Sequence, residues 1–443
     1  MSTPKADKII EAVFKAGIVG AGGAGFPTHV KLQCRADVVI ANGVECEPLL
    51  YHDKHVMEDR ASKVIYGLKL AMRATKAQRG LIALKKKYKK AAQALDRALK
   101  KADKISLFWM NDYYPAGDEQ EIVRAVTGKT VPPASIPIVV GAVVSNVTTL
   151  AQVSESLDDK PVVSRMISLV GNIPSPVTIE VPLGMSIADL LAQTGNEIDA
   201  TQKILGGGVM MGTLENLTGT IKKTTTGLII LPAAHPRLKE FSVSINTMKK
   251  QALSACCQCQ SCQDICPRFL LGHPISPHKS MRSFVETGNL PPSALLCCEC
   301  GLCTSLVTCP MGISPRKVHQ HFKSSFAAAA HAPSPSWQLQ AEHPHRQFRR
   351  ISSQRLKEKL DLVAYDHEPV RFTGKLQPTN LKIYLKQHIG ISANPVVSPH
   401  QKVQKGMLLG KITADSVGAN VHCPISGEVQ TVDQETITIM KAS

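Results

Sequence analysis

Two cysteine-rich runs constrain this chain of 443 residues more than any other feature of its sequence. The first reads C-C-Q-C-Q-S-C-Q-D-I-C-P from residue 256, and the second reads C-C-E-C-G-L-C-T-S-L-V-T-C-P from residue 297. A cuboidal iron–sulfur cluster needs four converging thiolates, and cysteines separated by two residues let one loop supply three of them. Structural zinc sites instead take their ligands in pairs. The two runs therefore predict two [4Fe–4S] clusters.

The fourth thiolate of each cluster usually comes from the other run, which relates the two clusters by a local pseudo-twofold axis. The predicted ligand sets are Cys256, Cys259, Cys262 and Cys309 for one cluster, and Cys297, Cys300, Cys303 and Cys266 for the other. The gap before Cys309 has five residues where the first run has three, so we expect a bulged loop there. Cys257 and Cys298 lie beside the first ligands, and we expect them to be buried thiols that do not bind iron.

The remaining composition narrows the class of protein. The longest apolar stretch, Ile136–Val144, is as long as a buried strand and far short of the roughly eighteen residues of a membrane span. No apolar leader segment follows Met1, so we expect a cytosolic protein whose cysteines form no disulfide framework. The net charge of +17 is concentrated partly in Lys85–Lys90 and Arg346–Arg350. Neither stretch lies in a nucleic-acid motif, so we expect solvated faces or docking of an acidic protein.

Alternating helix and strand patterns predict an α/β domain at the beginning of the chain. An apolar stripe predicts a helix through Ile9–Phe14, and apolar runs predict buried strands at Val38–Ala41, Leu81–Leu84 and Ile136–Val144. A helix is expected after Asn146. Such alternation is typical of a parallel sheet with helices on its faces.

The composition and hydrophobic periodicity of the sequence change at four points, which predicts a multidomain α/β and α+β protein. We place an α/β domain at 1–155, a small α+β domain at 160–245, the cysteine segment at 246–325, a linker at 326–367 and a compact β module at 368–443. The linker is rich in Ala, Pro, His and Ser and has little periodicity.

A glycine-rich loop follows the first predicted helix. Gly20-Ala-Gly22-Gly23-Ala-Gly25 satisfies G-x-G-x-x-G, the pattern of dinucleotide-binding turns. A helix precedes it where a strand is required, and Phe26-Pro27 follows where a helix should begin. The composition supports a backbone nest whose N–H groups can hold a phosphate.

The same loop carries a resemblance to a known family. Val19–Leu32 resembles the flavin loop of the NADH-binding flavoprotein subunit of respiratory complex I, and Asn42–Pro48, Tyr114–Glu119 and Asn146–Leu150 resemble its later FMN- and NADH-contacting segments, in the same order. The chain is more similar still to RnfC subunits and to PduS-type cobalamin reductases. Val162–Gly212 resembles their β-grasp (SLBB) domain.

Domain order separates these two relatives. RnfC-type chains carry a barrel-sandwich module ahead of the flavin domain, whereas here the lipoyl-like sequence Val421–Gly427 lies near the end of the chain. The resemblance therefore implies the PduS arrangement: a complex I flavoprotein-like FMN domain, a β-grasp domain, a helical two-cluster ferredoxin domain and a C-terminal barrel-sandwich module.

The resemblance also implies the cofactor-binding residues. Those expected to bind FMN are Gly22, Gly23, Gly25, Lys31, Asn42, Gly117 and Asn146, with Lys31 near the phosphate. Those expected to face the nicotinamide nucleotide are Phe26, Glu47 and Glu119. The same segments add Gly20, Glu45, Asp118 and Thr148 to the cofactor-binding set. Ala21 stands where the complex I protein has arginine, which weakens the expectation for NADH.

The function implied is electron transfer from NADH through FMN and two clusters to an acceptor. Flavin is the needed intermediary because NADH gives up two electrons together, whereas a cluster accepts one at a time. The leading expectation is reduction of cob(III)alamin to cob(I)alamin for a B12-dependent diol dehydratase in the lumen of a bacterial microcompartment. An adenosyltransferase and shell proteins are the expected partners. The alternatives are an RnfC-like NADH-oxidising subunit and a non-enzymatic electron relay.

The cysteine assignment predicts about eight iron atoms and eight sulfides per chain in protein purified without oxygen. Cys309→Ser should damage one cluster despite the unusual gap before Cys309, because one of its four thiolates is lost. Iron analysis and EPR spectroscopy measure both quantities. Unchanged iron and spectra in this variant would identify another cysteine, with Cys298 the first to test, as the ligand.

Overall fold

The computed structural model describes residues 4–328, 337–413 and 415–442. The first unit is a parallel sheet, ordered β3-β2-β1-β5, with helices on both faces. Its elements are α1 (Ala6–Lys15), α2 (Thr28–Leu32), β1 (Val38–Gly43), α3 (His52–Asp59), α4 (Ala61–Ala74), β2 (Arg79–Lys85), α5 (Lys89–Ala98), β3 (Ile105–Met110), β4 (Tyr113–Tyr114), α6 (Glu119–Thr127), β5 (Ala142–Asn146) and α7 (Val147–Ser156).

The central strand β1 shows why this unit is built around a sheet. Val39 and Ala41 point into the core formed with α1, α4 and α7, whereas Val38 and Ile40 point into the core formed with α6. A strand that is buried on both faces must be apolar at successive positions, as Val38–Ala41 is. The first two predicted strands and the predicted helices are confirmed.

The third predicted strand, Ile136–Val144, is wrong in its first half. Pro137–Val140 forms a short 3₁₀ turn, and the strand begins only at Ala142. The two are separated by Gly141, whose φ of +83° leaves extended geometry. A Cβ at Gly141 would lie 2.2 Å from Asp37 Oδ2, so the chain can pass close to β1 only with glycine here.

The second unit is a mixed sheet packed on one helix. Its elements are β6 (Ser164–Gly171), β7 (Val177–Pro182), α8 (Ile187–Gln193), β8 (Gln202–Gly206), β9 (Thr213–Glu215) and β10 (Gly227–Pro232). The parallel pair β6 and β10 lies at the centre, and residues 370–371 add a sixth strand beside β7. Ser186 Oγ caps α8 by accepting a hydrogen bond from the backbone N–H of Asp189 at 3.0 Å.

The cysteine segment is helical. Its elements are α9 (Pro236–Ser242), α10 (Ile245–Ala255), α11 (Ser261–Asp264), α12 (Pro267–Leu270), α13 (Pro277–Thr287) and α14 (Pro315–Ala328). Both cysteine runs leave their flanking helices and wind through loops, and α10, α13 and α14 pack around a small apolar core that includes Met248, Met281 and Val318.

The predicted linker is not a free tether where the structure describes it, from residue 337 onward. It contains β11 (Ile351–Ser352), which pairs with β4, and α15 (Ser353–Lys359). Just after the predicted linker, β12 (Val370–Arg371) pairs with β7. Leu356 is buried, and Arg346 forms a buried ion pair with Glu121 at 2.5 Å. These contacts bind the segment to the α/β unit. They come from a two-residue strand pairing and a few single side chains, which leave no periodic pattern in the sequence.

The C-terminal part forms two small sheets. Its strands are β13 (Asn380–Tyr384), β14 (Asn394–Pro395), β15 (Lys402–Val403), β16 (Leu408–Lys411), β17 (Val421–His422), β18 (Gly427–Val432) and β19 (Thr436–Lys441). The strand orders are β13-β19-β18-β15 and β14-β16-β17. Among the helices of the described residues, none is long and apolar enough to cross a lipid bilayer.

The close contact between α4 and α7 provides a test of this packing. A Cβ at Gly67 would lie 1.8 Å from the carbonyl oxygen of Leu150, so Gly67→Ala must push the two helices apart. We expect a loss of about 1–3 kcal/mol in the free energy of unfolding, the usual range for overpacking. Denaturant unfolding measures it, with the exposed Ser62→Ala on the same helix as control. Equal stability of the two variants would contradict the helix contact.

Candidate functional site

The glycine-rich loop forms a compact turn at the carboxyl end of the parallel sheet. Gly20 N–H donates to Phe26 O at 2.8 Å, and Ala21 N–H donates to Thr149 Oγ1 at 2.8 Å. Gly22 and Gly23 are exposed, and Gly23 has a φ of +104° with no atom within 4 Å of where its Cβ would be. The loop therefore presents bare backbone to open space, as a phosphate-binding nest requires.

Two other units hold this loop in place. Arg165 on β6 donates a hydrogen bond to Ala21 O, and its side chain is only 1 % exposed. From the C-terminal module, Ile389 N–H donates to Gly25 O at 3.1 Å. Ala21 replaces the arginine of the complex I protein, but the guanidinium of Arg165, from another domain, lies beside it. Because that guanidinium is buried, it stabilises the loop and is not offered to solvent.

Two adjoining cavities open beside the loop. One has a volume of about 220 Å³, and its wall includes Gly22, Asn42, Glu45, Gly117, Asn146 and Cys300. The other, about 490 Å³, lies between the glycine-rich loop and the β-grasp turn 206–212. Both cavities are lined by Gly22, Glu47 and Met211, so they form one continuous cleft. The first is called the inner cavity below.

Asn42 shapes the floor of the inner cavity. Its Nδ2 donates to Gly117 O at 2.9 Å, and its Oδ1 accepts the backbone N–H of Val44 at 3.0 Å. A Cβ at Gly117 would lie 2.4 Å from Val44 O, so only glycine lets these two segments meet. The structure brings both predicted residues together.

Asn146 and Thr148 are linked through an aspartate that the sequence did not identify. Asn146 caps α7 through its Oδ1, and its Nδ2 donates to Asp53 Oδ2 at 2.6 Å. Thr148 Oγ1 donates to Asp53 Oδ1 at 2.8 Å. Asn146 and Asp53 line the inner cavity, whereas Thr148 lies behind Asp53.

Glu45 and Glu47 are half-buried, and removal of their carboxyl groups from water raises the pKa of each. For Glu45 the nearby Asp53 and Glu47 raise the pKa further, well above its usual value. Glu47 accepts backbone N–H groups from Met210 and Met211, both at 2.9 Å, and these partly oppose the shift. The β-grasp turn therefore binds Glu47 directly at the cleft.

Six predicted residues lie outside the walls of both cavities, namely Gly20, Gly25, Phe26, Lys31, Glu119 and Thr148. Lys31 Nζ binds Glu119 Oε1 and Val144 O, both at 2.6 Å, and Phe26 is half-buried beside the loop. Asp118 lines the inner cavity, but its carboxylate is engaged elsewhere. It caps α6 and binds both terminal nitrogens of Arg268, at 2.7 and 2.9 Å.

The first cysteine set converges near the surface. Cys256, Cys259, Cys262 and Cys309 all line one small cavity of about 30 Å³. Burial and the neighbouring Cys309 raise the pKa of Cys262 to about 12, so a thiolate there requires a compensating cation such as cluster iron. The donor set fits a cluster. Cys257 is exposed, so the expectation that it is buried was wrong.

The second cysteine set lies deeper. Burial, with the charge of the neighbouring Cys298, raises the pKa of Cys266 and of Cys297 to about 12. Cys300 and Cys303 are buried beside them. Cys266 comes from the first run, so the structure brings it to the three cysteines of the second, as the crossed arrangement predicts.

The two runs share one backbone conformation. Gln258 and Glu299, which hold equivalent positions, have φ of +56° and +59°. Gln260 and Gly301, two residues later in each run, have φ of +62° and +80°. The two runs therefore wind through the same succession of backbone turns.

The second cysteine set reaches the inner cavity. Cys298 and Cys300 form part of its wall, opposite the glycine-rich loop. Tyr114, which also lines the cavity, donates its hydroxyl to Cys300 O at 2.7 Å. A group held in the inner cavity therefore lies directly against the deeper cysteine set.

Sequence reasoning missed several residues of this site. His52, Asp53, Arg165 and the turn 206–212 all face the cleft or its wall. The sequence offered one signal, since Asp53 and His52 closely follow the predicted segment Asn42–Pro48. Arg165 lies in a separate domain and carries no local signature.

Family comparisons give three matches along the chain. The families are described as Nuo51 FMN-binding domain, over residues 13–155, 4Fe-4S dicluster domain, over 255–314, and RnfC Barrel sandwich hybrid domain, over 370–442. The cobalamin reductase PduS of Citrobacter freundii is 38% identical over 442 residues, which cover 98% of this chain and 97% of that protein. This chain belongs to the PduS cobalamin reductase family.

Other relatives are consistent with this family. PduS of Salmonella typhimurium is 37% identical, again over 98% of this chain and 97% of that protein. One component of the Na⁺-translocating ferredoxin:NAD⁺ oxidoreductase complex of Acetobacterium woodii is 37% identical over 60% of this chain and 59% of that component. As a PduS family member, the chain is an oxidoreductase with a flavin domain and an iron–sulfur domain.

The open geometry at Gly23 predicts how to empty the flavin site. Gly23→Leu places a side chain at a left-handed position on the cleft wall, so the loop should distort and flavin should be lost. Flavin released by acid and iron content are measured on the same sample. Iron should be unchanged because both cysteine sets lie in other segments. Full retention of flavin would show that the loop does not hold it.

Proposed function

We propose that this protein transfers electrons from NADH through FMN and two [4Fe–4S] clusters to cobalamin. The observation that carries the proposal is the inner cavity, whose wall joins the glycine-rich loop to Cys298 and Cys300. Gly22, Asn42, Gly117 and Asn146 would hold the FMN. FMN bound there would accept two electrons together from NADH and pass them on one at a time to the clusters.

The two cysteine sets have an order along the electron path. Cys266, Cys297, Cys300 and Cys303 would hold the cluster next to the flavin, because this set borders the inner cavity. Cys256, Cys259, Cys262 and Cys309 would hold the cluster that passes electrons out, since Cys259 is exposed. The electrons thus meet the second run before the first.

The cleft also suggests where NADH binds. The larger cavity, about 490 Å³, opens beside the inner one and is lined by Gly22 and Gly23. Phe26 and Glu119, which the resemblance assigned to NADH, are outside both cavity walls, and Glu47 is held by the β-grasp turn. The nicotinamide nucleotide would therefore contact mainly the loop backbone and the β-grasp turn.

Cobalamin is proposed as the acceptor because relatives similar over nearly the whole chain are cobalamin reductases. Reduction to cob(I)alamin needs a very low potential, and cluster potentials extend to about −700 mV. NADH is a weak donor for this last step, so the reaction needs an enzyme that consumes cob(I)alamin. An adenosyltransferase is the proposed partner, and a microcompartment with a diol dehydratase and shell proteins is the proposed setting.

The test is adenosylcobalamin formation without oxygen. Protein supplied with NADH, a cob(III)alamin and an adenosyltransferase should form adenosylcobalamin. Cys300→Ser should slow this reaction more than it slows NADH oxidation with artificial two-electron acceptors, since those take electrons from the flavin. Cys34→Ser, a cysteine of neither set, is the matched control.

Two results would contradict the proposal. Reduction of ferredoxin or flavodoxin but not of corrinoids would favour an RnfC-like subunit. Absence of NADH oxidation by flavin-loaded protein would favour an electron relay that does not use NADH.

A further inference from the structure

The proposed electron path produces a proton inside the protein. NADH and two oxidised clusters give NAD⁺, two reduced clusters and one proton, because the clusters accept electrons alone. The inner cavity is lined by residues of the glycine-rich loop, the β-grasp turn and the second cysteine run, and it adjoins the larger cavity. The released proton has to leave this cavity, and the inference about its route rests on the proposed function.

A buried histidine stands at the wall of the inner cavity without hydrogen-bond partners. His52 is 1 % exposed, and neither ring nitrogen makes a hydrogen bond within the described residues. Its Nδ1 lies 3.3 Å from Glu45 Oε2, and its Nε2 lies 3.4 Å from Asp53 Oδ1. Both distances lie just beyond the usual range for a hydrogen bond between nitrogen and oxygen. Burying two unpartnered nitrogens is costly, which suggests that they serve a function.

The contacts continue from Asp53 to a second cavity. Thr148 Oγ1 donates to Asp53 Oδ1 at 2.8 Å. Thr148 also lines a separate cavity of about 40 Å³, whose rim includes the exposed residues Lys160 and Glu180. The chain of side chains therefore begins in the inner cavity and ends at the surface.

We propose that Glu45, His52, Asp53 and Thr148 form a proton relay from the flavin cavity to the surface. Glu45 takes up the proton released in the inner cavity and gives a proton to His52 Nδ1. His52 then gives the proton on Nε2 to Asp53, and the hydroxyl of Thr148 passes it to water in the outer cavity. Each group gains one proton and loses one, but His52 is left with its proton on Nδ1, so exchange between its two tautomers must precede the next turnover.

The charges around His52 agree with transient protonation. The groups that face it are Glu45, Asp53, Arg165 and His55. Burial, together with the positive charge of Arg165, lowers the pKa of His52 to about 4, while Asp53 opposes the shift. Burial raises the pKa of Glu45. At neutral pH His52 is therefore neutral, and a proton that enters its ring does not stay there.

A metal ion is the rival occupant of this cluster. One ligand atom each from Glu45, His52 and Asp53 lie within 4.8 Å of one another. The buried guanidinium of Arg165 acts on the same three groups, and its positive charge disfavours a second cation. The observations therefore favour a relay.

The test follows the flavin and the clusters separately after rapid mixing with NADH. In His52→Gln, flavin reduction should keep its rate, whereas cluster reduction should slow by about tenfold or more, the lower range for loss of a proton-transfer group. Added imidazole should restore part of the rate, and the dependence of cluster reduction on pH should change. His55→Gln, a buried histidine of the same helix, is the control.

Thr148→Val tests the outer end of the relay if His52→Gln loses its flavin. It removes the hydroxyl with little change of shape and should slow cluster reduction in the same way. Equal cluster-reduction rates and pH profiles in wild type and in flavin-loaded His52→Gln or Thr148→Val would overturn the relay. Zinc, manganese or iron bound stoichiometrically at this cluster, and lost in His52→Gln, would also overturn it.

A second mixing experiment separates the relay from the proposed function. If wild-type protein does not accept electrons from NADH, the proposed function fails. The variants are then reduced photochemically and mixed with ferricyanide, and proton release is followed with an indicator dye. Release that is at least about tenfold slower in His52→Gln than in His55→Gln supports the relay, and equal rates overturn it.

Discussion

The ion pair between Asp118 and Arg268 holds the cysteine segment against the α/β unit, and the site depends on that contact. It joins the first turn of α6 to the residue after Cys266-Pro267, beside both the inner cavity and the deeper cysteine set. Burial acts to raise the pKa of Asp118, but Arg268 outweighs it and holds the pKa below its usual value. Removal of either partner would leave the other charge buried and uncompensated, which is costly. The pair therefore opposes separation of the two units.

The β-grasp unit completes the site with two contacts. Its turn binds Glu47 through two backbone N–H groups, and Arg165 holds the glycine-rich loop at Ala21. A Cβ at Gly208 would lie 2.3 Å from Glu47 Cδ, which explains why this turn is rich in glycine. The cleft exists only because two domains face each other across it.

The C-terminal module supports the same loop from behind. Lys223 Nζ donates to Gly17 O at 2.7 Å and to Asn420 O at 2.6 Å, which ties together the end of α1, the β-grasp unit and the module. Burial lowers the pKa of this ammonium to about 7. A module placed at the end of the sequence thus reaches the beginning of the chain and sets the shape of the glycine-rich loop.

The sequence by itself determined the features that depend on local spacing. The cysteine runs predicted their own pairing, because three closely spaced thiols and a fourth before proline leave few geometries. Successive apolar residues predicted β1, and the glycine pattern predicted an open loop. The tertiary structure alone decided which groups surround the cleft, since His52, Arg165 and Glu47 meet there from different elements. It also decided which cysteine set faces the inner cavity, because that depends on how Arg268 and Tyr114 dock the helical segment onto the sheet.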